Sequence, residues 1–357
     1  MAVNVLESPS GDNYINDCGI WVLSITGQVN ESIDERGLYR LVSDDGVVTE
    51  WVSLPPVGTI SVNFSKEISG VLETPVPNFS ALLDASDIRK DFWLEYGYIV
   101  FDKENRTKTE NLGSVSGKAS FINGYKNPGN STRYTSRPSY MLVPRNHIDY
   151  IYSEESTINL RIRTSTGLKV EFPMNGVGDV TAYGIGPGNN PVLGMFSSRL
   201  VTYDVVVGSK TYKFKIDNCD IRAFNDDKFT TSKDRVSAVM FLEPSGGYSC
   251  MPVRHLTSVH NQMNYQEICI YDGCKTQNVS IFGKETRAYY SFETRSPRTQ
   301  QFGLWTQHFA ASTKYFVLLR DESGDPSWVP FIVDSVEEGY SHDELLFSFT
   351  GYIKINS

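Results

Sequence analysis

The chain has 357 residues, a length that predicts two or three domains with interior enough for real cores. Its 33 Lys and Arg against 42 Asp and Glu leave a formal net charge of −9, which argues against nucleic-acid binding by bulk charge. Twenty Tyr, 19 Phe and 28 Gly, with many Ser, Thr and Asn, turn the propensity sum away from a helical bundle and toward an all-β fold with one or two short helices.

No stretch reaches the 18 or so apolar residues of a membrane-spanning helix, and Met1 to Cys18 lacks the basic head and apolar run of a secretory signal. The expectation is a protein made and folded in the cytoplasm, with no membrane partner. Cys18, Cys219, Cys250, Cys269 and Cys274 are odd in number and sparse, unlike the dense even sets of disulfide scaffolds.

Residues 1–17 carry Pro9, Gly11 and Asn13 and little apolar periodicity, which predicts an extended arm. A β-rich domain over 18–150 follows. In it, the runs Ile20–Leu23 and Leu38–Val42 with the turn signal Asp44-Asp45-Gly46 read as a hairpin. Prolines 55, 56, 75 and 77 mark edges or connectors. Ala81, Ala85, Ile88 and Phe92, spaced by four, three and four, predict a short helix. Phe92–Phe101 reads as an aromatic strand with a bulge at Gly97. Residues 102–137 are polar and aperiodic, and predict an insertion.

Residues 151–224 carry the clearest pattern. Ile158, Leu160 and Ile162 alternate with polar residues, Ser165-Thr166-Gly167 turns, and Leu168, Val170 and Phe172 alternate back. Tyr203, Val205 and Val207 lead into Gly208-Ser209, suited to a type II′ turn, and Tyr212, Phe214 and Ile216 return. The reading is a small Ig-like sandwich. After the charged break Asn225–Lys228, a β-rich domain over 225–357 carries runs at 236–242, 268–271, 288–292, 315–319, 329–333 and 345–355. Phe302, Trp305 and Phe309 predict a surface helix there.

The best metal-like set is Cys250, His255, His260, Cys269 and Cys274. Zinc takes four such ligands in a tetrahedron, and Cys269 with Cys274, like His255 with His260, encloses four residues. The alternative is small buried cysteines and hydrogen-bonded histidines. Five dispersed histidines allow a nucleophile–base pair, but no G-x-S-x-G elbow supports one. Asp44 with Asp45, or Glu154 with Glu155, could be a glycosidase pair and more simply solvate turns. Gly184, Gly186 and Gly188 miss the dinucleotide pattern, whose sixth position is here Asn189, and read as a loop. Lys and Arg do not gather along the sequence into a stripe with aromatics. No cofactor is expected.

Three segments together resemble virion and tail structural proteins of tailed bacteriophages infecting Bacteroidota, crAss-like or related. They are Thr135-Ser136-Arg137-Pro138 with Glu154-Glu155 and the strand Ile158–Ile162; Tyr212–Cys219; and Val239-Met240-Phe241-Leu242-Glu243-Pro244-Ser245-Gly246-Gly247-Tyr248. The third carries Glu243 where the family pattern has Asn. The likeness spans about residues 135–250. It implies a non-enzymatic virion component of the tail, baseplate or neck ring, assembled in the host bacterial cytoplasm. Its implied partners are copies of itself and other virion proteins. Two other readings are a carbohydrate-binding adhesin or fibre domain that stacks aromatics on a surface glycan, and a polysaccharide-cleaving tail enzyme.

Overall fold

The computed structural model describes residues 1–15, 17, 19–28, 31–124, 134–217, 238–253, 255–272, 276–297, 299–320, 326–341 and 344–355. Cys18, Cys219, Cys274, His342, the charged break at 225–228 and residues 125–133 of the expected insertion lie outside them. The fold is all-β with a few short helices. The chain divides into two units, Met1–Pro75 with Ala85–Pro128, and Val76–Asp84 with Gly129–Ser357.

In chain order the first unit holds β1 (Ala2–Glu7), β2 (Asp12–Tyr14), β3 (Ile20–Thr26), β4 (Ile33–Ser43), β5 (Gly46–Val47), β6 (Val52–Leu54), β7 (Val57–Asn63) and the helix α1 (Ser65–Val71). β8 (Leu82–Asp84) belongs to the second unit. A 3-10 turn at Ser86–Ile88, β9 (Arg89–Asp102), β10 (Thr107–Val115) and β11 (Ala119–Ile122) complete the first. Two sheets result, one ordered β1-β3-β7 and one ordered β2-β11-β9-β4-β5, with β10 on β9 and β6 on β4. Period-2 alternation sends Trp21, Leu23 and Ile25 of β3 inward, where all three are buried. Trp21 meets Phe64 edge-on at 5.7 Å, and Phe92 meets Phe121 likewise.

Several local expectations change here. Residues 1–17, read as an arm, place β1 against β3, with Val3 in the core. The turn at Asp44-Asp45 joins β4 to the two-residue β5, whereas β3 and β4 lie in different sheets. The helix expected over 81–92 is instead β8, the 3-10 turn and the start of β9. Ala85, Ile88 and Phe92 are all fully buried, so their spacing records a chain turning a corner with its apolar side inward. The bulge expected at Gly97 lies opposite it, between Leu112 and Ser114 of β10. Gly113 adopts φ 125 there, and a Cβ on Gly97 would sit 2.0 Å from the Asn111 carbonyl oxygen.

The second unit continues with β12 (Tyr140–Val143), β13 (Tyr150–Ser153), β14 (Thr157–Thr164), β15 (Lys169–Asn175), β16 (Thr181–Gly184), the helix α2 (Pro191–Met195), β17 (Leu200–Val207) and β18 (Lys210–Ile216). These form a five-stranded sheet, β12-β18-β17-β14-β15, and a three-stranded one, β13-β16-β8. The two expected hairpins are present as β14–β15 and β17–β18. Gly208 takes φ 55 while Ser209 keeps a negative φ, as a type II′ turn requires.

The remaining strands are β19 (Val239–Leu242), β20 (Tyr248–Met251), β21 (His255–Asp272), β22 (Thr276–Pro297), β23 (Tyr315–Arg320), β24 (Pro326–Ser341) and β25 (Glu344–Ile355), with the helix α3 (Gln300–Ala310) between β22 and β23. Their order is β20-β19-β23-β24-β25-β22-β21. Only residues 252–254 link β20 to β21, a reach of about 14 Å. Six flat inter-strand steps would span about 29 Å, so the sheet curls strongly on itself. The bend falls in β24, whose residues 326–331 pair with β23 and 332–341 with β25. Gly351 faces it, and a Cβ there would lie 2.4 Å from the Ile332 carbonyl oxygen.

Thr299 caps α3, its hydroxyl accepting from the Phe302 N–H, which supports the turn at which the helix starts. The helix expected on the surface is internal on one face, with Phe302, Trp305 and Phe309 fully buried. Phe309 lies 5.0 Å from Phe241 and 4.6 Å from Phe349. One apolar cluster runs from these rings through the inner face of the five-stranded sheet.

Candidate functional site

Two of the segments singled out in sequence, Thr135–Pro138 and Glu243–Tyr248, meet around a buried ion pair. Arg137 and Asp149 have fully buried side chains, and the guanidinium grips the carboxylate with two nitrogens at 2.5 and 3.2 Å. It also donates to the Tyr150 carbonyl and to the Ser249 hydroxyl, each at 2.6 Å, and to the Thr135 hydroxyl at 3.1 Å. Asp149 accepts further from the Cys250 N–H at 2.9 Å. Burial would raise the Asp149 carboxyl, but Arg137, with His147 beside it, holds it below its ordinary value. Burial opposes the charge of Arg137, and Asp149 and Glu243 outweigh it to hold that group above its usual range.

Glu243 forms the second half of the network. It is buried and accepts from the Thr135 hydroxyl at 2.7 Å, from the Ser136 N–H and hydroxyl at 2.5 Å each, and from the Ser249 hydroxyl. The Gly-Gly pair makes this possible: Gly246 takes φ 101, and a Cβ on Gly247 would fall 2.4 Å from the Tyr134 carbonyl oxygen, which the Gly247 N–H bonds. Gln301 and His308 of α3 reach Ser139 and Ser136. The network thus ties the chain at 134–139 to β13, to the β19–β20 turn and to α3.

Ser136 and His308 come within 2.6 Å through Nδ1, the pairing that a nucleophile and base need. A triad sets its carboxylate on the other ring nitrogen, whereas Glu243 here sits on the serine hydroxyl. Of the paired acids, Asp44, Asp45 and Glu154 have side-chain partners. Asp44 bonds Lys118 and the Asp91 N–H, Asp45 bonds Lys90, and Glu154 accepts from the Tyr134 hydroxyl. Cys250 is free and buried, its thiol pushed well above the usual value by burial and by Asp149. His255, His260 and Cys269 lie on β21, and Cys274 falls outside the described residues. Among the described residues no three His, Cys, Asp or Glu side chains are placed to hold a metal ion. The glycine loop after β16 packs on protein: a Cβ on Gly186 or Gly188 would lie within 2.4 Å of the carbonyl oxygens of His147 or Asn146.

One surface was missed in sequence. On the outer face of the five-stranded sheet, Lys213, Arg161 and the acids Asp204 and Glu171 occupy one cross-strand row, and Lys215, Arg163, Lys169 and Thr202 the next. The basic residues do gather here, contrary to the expectation from their linear spacing. The signal was the alternation itself, Leu160-Arg161-Ile162-Arg163 and Tyr212-Lys213-Phe214-Lys215, which sends every second residue outward. A depression of about 480 Å³ lies on this face between β14, β15 and β17. Of the tryptophans, Trp21 and Trp305 are buried, and Trp51, Trp93 and Trp328 are half-buried. No helix among the described residues is long and apolar enough to cross a membrane.

No protein-family model matches the chain, and no curated protein matches it in sequence. Among solved structures it is similar to one of the virion of a native gene transfer agent particle, at 12% identity and a TM-score of 0.22, over 34% of this chain and 92% of that one. It is also similar to one of the tail of an empty gene transfer agent particle with C6 symmetry, at 11% identity and a TM-score of 0.22, over the same shares.

Proposed function

We propose that this chain is a structural, non-enzymatic component of a bacteriophage virion, in the tail, baseplate or neck, that works by bonding to copies of itself and to other virion proteins. The observation that carries this reading is a two-stranded extension. β22 pairs with β25 from Thr286 to Pro297, but with β21 as far as Thr276, so residues 264–272 and 276–285 run on past the sheet as a ribbon on which no third strand pairs among the described residues. At about 3.4 Å per residue the ribbon is roughly 30 Å long. An isolated two-stranded hairpin is marginal in water, and the edge of any sheet that lacks a partner strand presents N–H and C=O groups open to pairing. Its sequence nevertheless includes Ile268, Ile270, Val279, Ile281 and Phe282. An arm of this kind gains stability by lying on a neighbour. The likeness of residues 135–250 to virion proteins of phages of Bacteroidota supplies the setting, a particle put together in the bacterial cytoplasm.

Size-exclusion chromatography with light scattering tests the reading. A discrete species at a multiple of 40.1 kDa is the expected result. A single 40.1 kDa species at every concentration up to hundreds of micromolar would overturn it.

A further inference from the structure

We infer that the outer face of the sheet β12-β18-β17-β14-β15 docks the acidic first unit of a second copy of this chain, so that copies join head to tail. The inference rests on the assembly reading above and names the surfaces that would carry it. Five cations on this face, Arg161, Arg163, Lys169, Lys213 and Lys215, stand against two acids, Glu171 and Asp204, a local +3 in a chain of net charge −9. Arg161 is paired to Glu171. Arg163, Lys169, Lys213 and Lys215 are exposed, and no ion pair of theirs is found among the described residues. A sheet face holding several cations without an ion pair among the described residues, with a depression beside them, is suited to an anionic surface.

The first unit of the chain carries charge of that sign. Residues 1–75 and 85–128 carry 17 acidic against 10 basic residues, hence −7 of the total −9. Glu7, Glu31, Glu50, Glu67 and Glu73 are exposed, and none forms an ion pair among the described residues. Two different surfaces of opposite sign on one polypeptide make a heterologous contact, which closes into a ring or runs on as a helix according to its rotation. A contact between equivalent patches would set like charges against each other.

The test is charge reversal read by sedimentation velocity at several salt concentrations. R163E/K215E changes two exposed side chains on separate strands and should leave the melting temperature near that of the parent; R163Q/K215Q serves if it does not. The parent should dissociate as salt rises, and the reversed variant should associate about tenfold more weakly or worse, since like charges then face each other. Adding the counter-variant E67K/E73K should restore part of the loss. Association by R163E/K215E equal to the parent's overturns this inference and leaves the assembly reading standing, whereas a parent that never associates overturns both. Tight binding of a 30-nucleotide DNA to the parent, lost in R163E/K215E while self-association is kept, would reassign the face to a nucleic-acid partner and overturn the inference.

Discussion

Arg137 shows how much one residue can hold in place. With its donors spent on Asp149, Tyr150, Ser249 and Thr135, removing it leaves two buried carboxylates uncompensated. Arg137→Met should therefore cost about 3–5 kcal/mol of stability in urea denaturation. Pairing it with Asp149→Leu should recover part of that cost, because an apolar pair leaves no orphaned charge. A double variant as unstable as the sum of the two singles would argue against direct coupling. The pH dependence has a definite sign. The Asp149 carboxyl lies below its ordinary value in the fold and near 3.9 when unfolded. Its contribution is thus complete above about pH 4 and is lost as pH falls through the folded value. Asp149→Asn should flatten the fall in stability below pH 4, and an unchanged slope would count against this account. The sequence displayed both halves of the network, Thr135–Pro138 and Glu243–Tyr248, but not their meeting. Local periodicity holds no information on a contact between positions more than 100 residues apart.

Elements were legible in proportion to how strictly they alternate. The hairpins β14–β15 and β17–β18 could be read because one face is buried and the other wet, which prints a period of two into the residues. The helix α3 was legible from three aromatics at helical spacing, although not its depth. The corner at 81–92 was misread because a tight change of direction can also place apolar residues three or four apart. Depth in α3 is testable by contrast: Phe309→Ala should cost about 3–5 kcal/mol, whereas Leu304→Ala, 49% exposed on the same helix, should stay within about 0.5 kcal/mol. The arm has its own test. Replacing residues 265–284 by an Asn-Gly turn should leave the melting temperature within a few degrees of the parent's and abolish the large species in light scattering. Full assembly by the shortened chain would show that the ribbon is dispensable. The edge strand β1 makes the opposite case: deleting residues 1–17 strips a partner from β3 and should lower the melting temperature.

At the scale of the whole molecule, composition announced the strands and the net charge, but not where the charge sits. Division of the chain into units turns a bulk −9 into a strongly acidic first unit and a nearly balanced second one with a basic sheet face. The division also crosses the covalent order: β8, from inside the first unit's stretch of sequence, pairs with β16 of the second, Leu82 opposite Tyr183. During translation at about 5–20 residues per second, the partner of Leu82 and Leu83 therefore leaves the ribosome roughly 5–20 s after they do. Until then the nine residues from Val76 to Asp84 hang as a slack loop from an otherwise closed nascent domain. Ribosome-stalled chains ending near position 150 should be nicked by protease within that loop. Chains long enough to have released β16 should resist, so that the moment of protection reports when β8 finds its partner strand.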